Sequence, residues 1–309
     1  MNNKPNIIKL PIQSFCFGVR NAIKKVNILL EQENIDKPIY MLGDIVHNKY
    51  VSEYFKSKDI IVCKESTRLE MLNNIKNGTV IITAHGVSDQ VKEKINNLNL
   101  PYIDTTCPFV SNSIKLIKKY LSLGYTIIYI GSKNHPESET ATSYGNNVIL
   151  ISSLDDAKNI DIHSDKLIIT NQTTMSQYDI ADIIEYLKNK YPHLETMEKV
   201  CSASMERQKM VKDIVLNHIN DNNTAFLVIG DKSSHNTKKL ADIIKDYNNN
   251  VFLTETINDV EITNIKKYKT IYLVSGTSTP KCIIDEICDV LNSDIDSYES
   301  QLKLNEYVK

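Results

Sequence analysis

One pattern is written three times along the chain, and any fold must accommodate all three copies. A cysteine follows a short apolar run and opens an amphipathic helix. A strand then leads to a glycine and a polar tip, and a second helix and strand lead to another polar tip. The cysteines are Cys16, Cys107 and Cys201, 91 and 94 residues apart (16 to 107 to 201). The first tips are Gly43-Asp44-Ile45-Val46-His47, Gly131-Ser132-Lys133-Asn134-His135 and Gly230-Asp231-Lys232-Ser233-Ser234. The second tips are Thr83-Ala84-His85-Gly86-Val87-Ser88, Thr170-Asn171-Gln172-Thr173-Thr174-Met175-Ser176 and Ser275-Gly276-Thr277-Ser278. Three α/β units, each with one thiol and two polar tips, predict one shared site at their centre.

Short β-branched runs bounded by turn residues predict strands at Val80-Ile81-Ile82-Thr83, Thr126-Ile127-Ile128-Tyr129-Ile130, Lys166-Leu167-Ile168-Ile169-Thr170, Phe226-Leu227-Val228-Ile229 and Thr270-Ile271-Tyr272-Leu273-Val274. Helical periodicity covers 21–32, 111–123, 178–190, 205–219, 237–247 and 281–291. Strands alternating with helices imply parallel α/β sheets. Ligands of such sheets sit beyond the carboxyl ends of the strands, where every tip falls, beside helix N-termini that offer N–H groups to anions. The expected lobes are 15–106, 107–199 and 200–309. The strand within 1–14 has no lobe of its own and is expected to pack on the last one. A unit of about 90 residues buries only about 60% of its unfolded surface, so the lobes should lean on one another, and a shared metal centre would add stability.

A net charge of −2 argues against a nucleic-acid surface. No run reaches the roughly 18 apolar residues of a membrane span, and Met1-Asn2-Asn3-Lys4-Pro5 does not read as a secretory signal. Six cysteines in such a chain favour free thiols or metal ligands over disulfides. Cys63, Cys282 and Cys288 lie in apolar surroundings and read as small buried hydrophobes. Cys16, Cys107 and Cys201 stand instead at strand-to-helix junctions. There a helix N-terminus favours the thiolate, the metal-binding form. Three thiolates from three lobes suit an iron–sulfur cluster with one iron free of protein ligands, or zinc with an open fourth position.

His47, His85 and His135, three of the seven histidines, all fall at tips. With Ser234, Asn236 and Ser278 they can hydrogen-bond phosphate oxygens. Glu137, in His135-Pro136-Glu137, is placed to shuttle protons, and Thr173 of the same lobe is expected to meet it across the sheet edge. Lys133 and Lys232 lie at tips but read equally as solvated. Arg20 and Arg207 follow cysteines and read either as electrostatic supports or as structural ion-pair partners. His163, His193 and His218 break the pattern and read as surface or helix residues.

These residues carry a resemblance. The chain resembles the 4-hydroxy-3-methylbut-2-enyl diphosphate reductases, which close the methylerythritol phosphate route to isoprenoids. The matching motifs are Phe15-Cys16-Phe17-Gly18-Val19, His47-Asn48-Lys49-Tyr50-Val51, Ala84-His85-Gly86-Val87-Ser88, Asp104-Thr105-Thr106-Cys107-Pro108, His135-Pro136-Glu137, Gln172-Thr173-Thr174-Met175-Ser176, Cys201-Ser202-Ala203-Ser204 with Arg207-Gln208, and Ser234-His235-Asn236. The resemblance implies a trefoil of three α/β lobes around a [4Fe-4S] cluster, seen as [3Fe-4S] if oxidised. Cys16, Cys107 and Cys201 would hold three irons, and the fourth would take the substrate's hydroxyl oxygen. His47, His85, His135, Ser234, Asn236 and Ser278 would cradle the diphosphate, with His235 beside them. Glu137 would be the proton source, with Thr173 and His135 beside the reacting hydroxyl. The implied reaction is reductive dehydroxylation of (E)-4-hydroxy-3-methylbut-2-enyl diphosphate to isopentenyl and dimethylallyl diphosphate, with electrons from ferredoxin or flavodoxin. The absence of GxGxxG argues against direct use of NADPH. The implied setting is the cytoplasm of a bacterium, or a plastid or apicoplast stroma in a eukaryote. Four positions depart from the usual pattern: Phe17, Thr140, Ser202 and His235. They bear on pocket shape and product ratio. Two rivals remain at this level: an iron–sulfur sensor or carrier, which would not need the convergent polar tips, and a zinc hydrolase of diphosphates, which would not need electrons.

Overall fold

The computed structural model describes residues 4–64, 67–197 and 201–308. It contains three parallel four-stranded sheets with helices between successive strands, the α/β class expected from the alternation. The chain opens with β1 (Asn6–Lys9) and α1 (Phe17–Leu30). It continues through β2 (Ile39–Met41), α2 (Lys49–Lys56), β3 (Ile60–Val62), α3 (Arg68–Met71), β4 (Thr79–Ile82), α4 (Asp89–Asn97) and β5 (Tyr102–Asp104). The second repeat runs through α5 (Pro108–Ser122), β6 (Thr126–Ile130), α6 (Pro136–Thr142), β7 (Val148–Ile151), α7 (Leu154–Asn159), β8 (Leu167–Asn171), α8 (Gln177–Lys190) and β9 (Glu195–Thr196). The third has α9 (Ser202–Val215), β10 (Thr224–Ile229), α10 (His235–Lys245), β11 (Val251–Thr254), α11 (Ile262–Ile265), β12 (Thr270–Ser275) and α12 (Lys281–Asn292).

The strand orders are β5-β4-β2-β3, β9-β8-β6-β7 and β1-β12-β10-β11, one topology used three times. In each sheet the edge strand beside the second tip runs on into a cysteine. For the third sheet that strand is β1, which pairs in parallel with β12 from Asn6 opposite Thr270 to Lys9 opposite Leu273. The central strands are largely buried, and β10 reads Thr-Ala-Phe-Leu-Val-Ile with all six residues buried. Such continuous apolar strands mark parallel sheets covered on both faces. Apolar clusters lie on either side of the third sheet, one around Ile271, Leu273 and Ile287, the other around Phe226, Val228 and Leu240.

α1, α5, α9 and α10 begin two to four residues before the apolar periodicity does, while α8 and α12 begin within one residue of it. α5 starts at Pro108 with Cys107 as its N-cap, and α10 starts at His235 with Ser234 as its N-cap. Their first turns carry the tip residues, chosen for chemistry rather than for an apolar stripe.

Contacts divide the chain into two compact units. One comprises Met1–Arg20, Val46–Lys58 and Ser202–Lys309, and contains the third sheet together with α2. The other comprises Asn21–Ile45 and Asp59–Cys201, and contains the first two sheets.

Candidate active site

Each of the three cysteines is held by the same backbone hydrogen bond. The Cys107 N–H donates to the Ala84 carbonyl at 2.9 Å, that of Cys201 to Thr173 at 2.7 Å, and that of Cys16 to Thr277 at 3.0 Å. The three acceptors occupy matching places in the three second tips. Each cysteine then opens a helix, so each thiol stands at a helix N-terminus, beside first-turn N–H groups that have no partner within the helix. Cys201 is buried, and Cys16 and Cys107 are half-buried. The other three cysteines sit in apolar packing: Cys63 borders the first-sheet core, and Cys282 and Cys288 belong to the cluster under the third sheet. Burial pushes the Cys282 thiol up to about 12, so it is inert at neutral pH.

In the unit with the first two sheets, Glu137 lies in the first turn of α6, 5% exposed. Thr173 grips its carboxyl twice: the N–H donates to Oε2 at 2.9 Å and the hydroxyl to Oε1 at 3.0 Å. Burial nevertheless dominates and raises the carboxyl to about 7, the two bonds from Thr173 pulling the other way. Thr173 thus bonds the carboxyl with its donors and the Cys201 N–H with its carbonyl. The Glu137 N–H donates to His135 Nδ1 at 3.2 Å, so in neutral His135 the proton sits on Nε2. Asn134, just before it, has φ +63°, a left-handed turn that asparagine tolerates. The His85 and His135 rings meet edge to face, centroids 5.6 Å apart, and each offers a nitrogen within 4.8 Å of the other's. Gln172 ties the two tips of this lobe together. Its Oε1 accepts from the Ser132 N–H at 3.0 Å and its Nε2 donates to Thr174 Oγ1 at 2.8 Å. A part-buried ion pair, Arg68 with Glu139 at 3.3 Å, joins α3 to α6.

In the other unit, the residue before Phe15-Cys16 is Ser14, at φ +63°. That backbone is uncommon for serine. It is held on both sides: the Ser14 N–H donates to Ser275 Oγ at 2.9 Å, and the Arg207 guanidinium donates to the Ser14 carbonyl. Arg207, 2% exposed, also donates to the Ser275 and Gly276 carbonyls at 2.8 and 3.0 Å. Among the described residues it clamps backbone carbonyls of the turn into Cys16 and of the second tip. Arg20 is exposed. Gly276 is required by close approach, because a Cβ there would lie 2.3 Å from Thr237 Oγ1.

Ser234 caps α10, its Oγ accepting from the Thr237 N–H. Asn236, 3% exposed, has neither amide atom hydrogen-bonded among the described residues. Ser278 Oγ donates to the His47 carbonyl at 3.0 Å. His235 is exposed on the first turn of α10, and Lys232 and Lys133 are exposed at their tips. His163 and His193 are exposed. His218 is half-buried before β10, bonded to Asp221 and Tyr272.

Reasoning from sequence missed α2 and what holds it. Although α2 follows the first lobe's tip, it packs on the third sheet's unit. The Lys49 N–H donates to Asp231 Oδ2 at 3.2 Å, its ammonium pairs with Glu255, and Tyr50 stacks on Tyr307. Nothing local signals this, since the partners lie some 180 to 260 residues away.

No helix among the described residues is long and apolar enough to cross a membrane. The sequence matches the family described as LytB protein over residues 7–292. A curated relative from Geobacillus kaustophilus, named 4-hydroxy-3-methylbut-2-enyl diphosphate reductase, is 37% identical over 287 residues, covering 92% of this chain and 89% of its own. One of the same name from Bacillus subtilis is 36% identical over 284 residues, covering 91% and 89%. The solved E-1-hydroxy-2-methyl-but-2-enyl-4-diphosphate reductase from Plasmodium falciparum superposes with a TM-score of 0.83 at 28% identity, covering 94% of this chain and 89% of that one. The three-sheet α/β fold, the motifs that carry it and these relatives agree: the chain is an oxidoreductase that belongs to the LytB family.

Proposed function

We propose that the chain converts (E)-4-hydroxy-3-methylbut-2-enyl diphosphate, with two electrons and two protons, into isopentenyl or dimethylallyl diphosphate and water. The observation that carries this reading is Thr173, which binds the carboxyl of Glu137 and the backbone of Cys201 at once. One residue so couples a proton store to a thiol suited to a redox metal.

The donor set fits an iron–sulfur cluster. Three soft thiols stand at helix N-termini, each with its N–H tied to a second tip. Cys16, Cys107 and Cys201 would hold a [4Fe-4S] cluster with one iron free of protein ligands, supplying single electrons and a Lewis acid. Glu137 keeps its proton up to about pH 7, so it delivers that proton to the departing hydroxyl, which leaves as water. Thr173 holds the carboxyl in place and stabilises the carboxylate that remains. His135 offers its Nε2–H, and with His47, His85, Ser234, His235, Asn236 and Ser278 it binds the diphosphate. Asn236 brings an amide that lacks other hydrogen bonds among the described residues. Ser278 must turn its proton away from the His47 carbonyl to donate to a phosphate oxygen. The grip fixes the allylic fragment against the proton donor, which is where positioning contributes to rate. Ferredoxin or flavodoxin supplies the electrons, in the cytoplasm of a bacterium or the plastid or apicoplast stroma of a eukaryote. The lobes run 15–106, 107–199 and 200–309.

The test is anaerobic purification followed by iron and sulfide analysis and oxidation of a reduced dye on addition of the substrate. About four irons and four sulfides, as a cubane requires, with dye oxidation only in the presence of substrate, support the reading. Zinc in place of iron, or a cluster with no substrate-dependent turnover, sinks it.

A further inference from the structure

The match to the LytB family ends at residue 292. The segment beyond it returns across the third sheet's unit and is bonded along its path. The Ser300 N–H donates to Asn258 Oδ1 at 2.7 Å, and the Ser300 hydroxyl lies 2.9 and 2.8 Å from the two carboxylate oxygens of Glu286 on α12. The segment ends in a short 3₁₀ turn, Leu304–Glu306, followed by Tyr307. Tyr307 is only 5% exposed, and its ring stacks on Tyr50 of α2 with centroids 4.8 Å apart and planes 21° apart.

Tyr50 is the second residue of α2, and His47 stands two residues before that helix begins. The cap between them is stiff, because the Asn48 side chain accepts from the N–H groups of Tyr50 and Val51. His47 therefore moves with α2. Four contacts anchor this junction: Asp231 on the Lys49 N–H, Glu255 on the Lys49 ammonium, Ser278 on the His47 carbonyl, and Tyr307 on Tyr50. Asp231 and Ser278 belong to the tips themselves. Tyr307 comes from the segment beyond the family match and meets Tyr50 on α2, so its effect on the site passes through α2.

We propose that residues 297–308 form a strap that sets the position of His47, and with it the affinity for the diphosphate group, through the Tyr307–Tyr50 stack. The inference rests on the reading of His47 as a diphosphate ligand. Tyr307 is a positioning residue, so its loss acts on binding and not on the chemical step.

The experiment uses the full chain with its cluster reconstituted anaerobically, comparing wild type, Tyr307→Ala and Tyr307→Phe, with inorganic diphosphate as the calorimetric probe. Tyr307→Ala is expected to weaken diphosphate binding about tenfold, the scale of one lost aromatic contact. It should raise KM by a similar factor, leave kcat within about twofold and iron content unchanged, and speed amide exchange in Lys49–Lys56. Tyr307→Phe, which keeps the stack, should match wild type. If Tyr307→Ala does not fold, Tyr50→Leu removes the other ring while keeping an apolar side chain, and is read the same way. Wild-type affinity and KM in Tyr307→Ala or Tyr50→Leu overturn the strap alone. A wild-type protein that binds no inorganic diphosphate overturns the reading of His47 and the strap with it.

Discussion

The surroundings of Glu137 and those of Asn236 treat buried polarity in opposite ways. At the Glu137 carboxyl the bonding is filled, although the adjacent Ser138 Oγ is buried without a hydrogen bond among the described residues: Thr173 donates to both carboxyl oxygens and Gln172 spends both ends of its amide on the tips. Around Asn236 it is open. The Asn236 amide, Ser204 Oγ, Gln208 Nε2 and Thr237 Oγ1 are all buried without a hydrogen bond among the described residues. A buried group left unsatisfied costs about 1–3 kcal/mol. The buried Asn236 amide has bonding capacity that a polar guest would take up, whereas the second lobe spends its bonds on holding one carboxyl still. On the proposed function, the first receives an anion and the second manages a proton.

The comparison can be broken most severely at what the two regions share, the tethered cysteines. Cys107→Ser should yield protein with little bound iron and no measurable turnover. A normal cluster in that variant would remove Cys107 from the ligand set. Next in size is Glu137→Gln, which should keep iron content and diphosphate affinity but lower turnover by about 10²–10⁴, the range for general acid catalysis. Full activity would take Glu137 out of the proton path.

The pH dependence sharpens the same point. The folded carboxyl titrates near 7, above its ordinary 4.5, so it is neutral below about 7 and charged above. Turnover should fall as pH rises through 7. The sign for stability is the same. Between 4.5 and 7 the folded protein retains a proton that the unfolded chain releases, so this group's contribution is complete below 4.5 and is lost as pH rises through 7. Comparing unfolding midpoints of wild type and Glu137→Gln across that window checks it. A pH-independent difference would show that the site titrates elsewhere.

The smallest effect is expected at Asn236→Ala. Affinity for inorganic diphosphate should drop about tenfold, the value of one hydrogen bond to a charged group. The unliganded midpoint should not fall, because the amide makes no bond to lose. A lower midpoint with unchanged affinity would erase the contrast between the two regions.

Much of this was readable from residues in order. The β-branched runs place the central strands, and the three cysteines with their tips predict a shared topology, which the strand orders display. The expected meeting of Glu137 and Thr173 across a sheet edge is present because β6 and β8 are neighbours in parallel register. What escaped has a physical cause. The starts of α1, α5, α9 and α10 precede the apolar period because their first turns carry caps and polar groups in place of an apolar stripe. The backbone carbonyls that Arg207 grips carry no sequence signature. The seat of α2 on Asp231, Glu255 and Tyr307 depends on tertiary neighbours that no local period announces.

The pairing of β1 with β12 has a consequence for assembly. Their partners lie more than 260 residues apart along the chain, and closing so long a loop is slow and entropically costly. During synthesis Asn6–Lys9 emerges early but must wait, an unmated edge, until Thr270–Ser275 leaves the ribosome. Cys16 waits with it, since Thr277 is its anchor. Two of the three thiols can reach their tethers on a partial chain, while the third is seated only at the end. On the proposed assignment of all three thiols to one cluster, loading is expected to finish only after Thr277 has been synthesised.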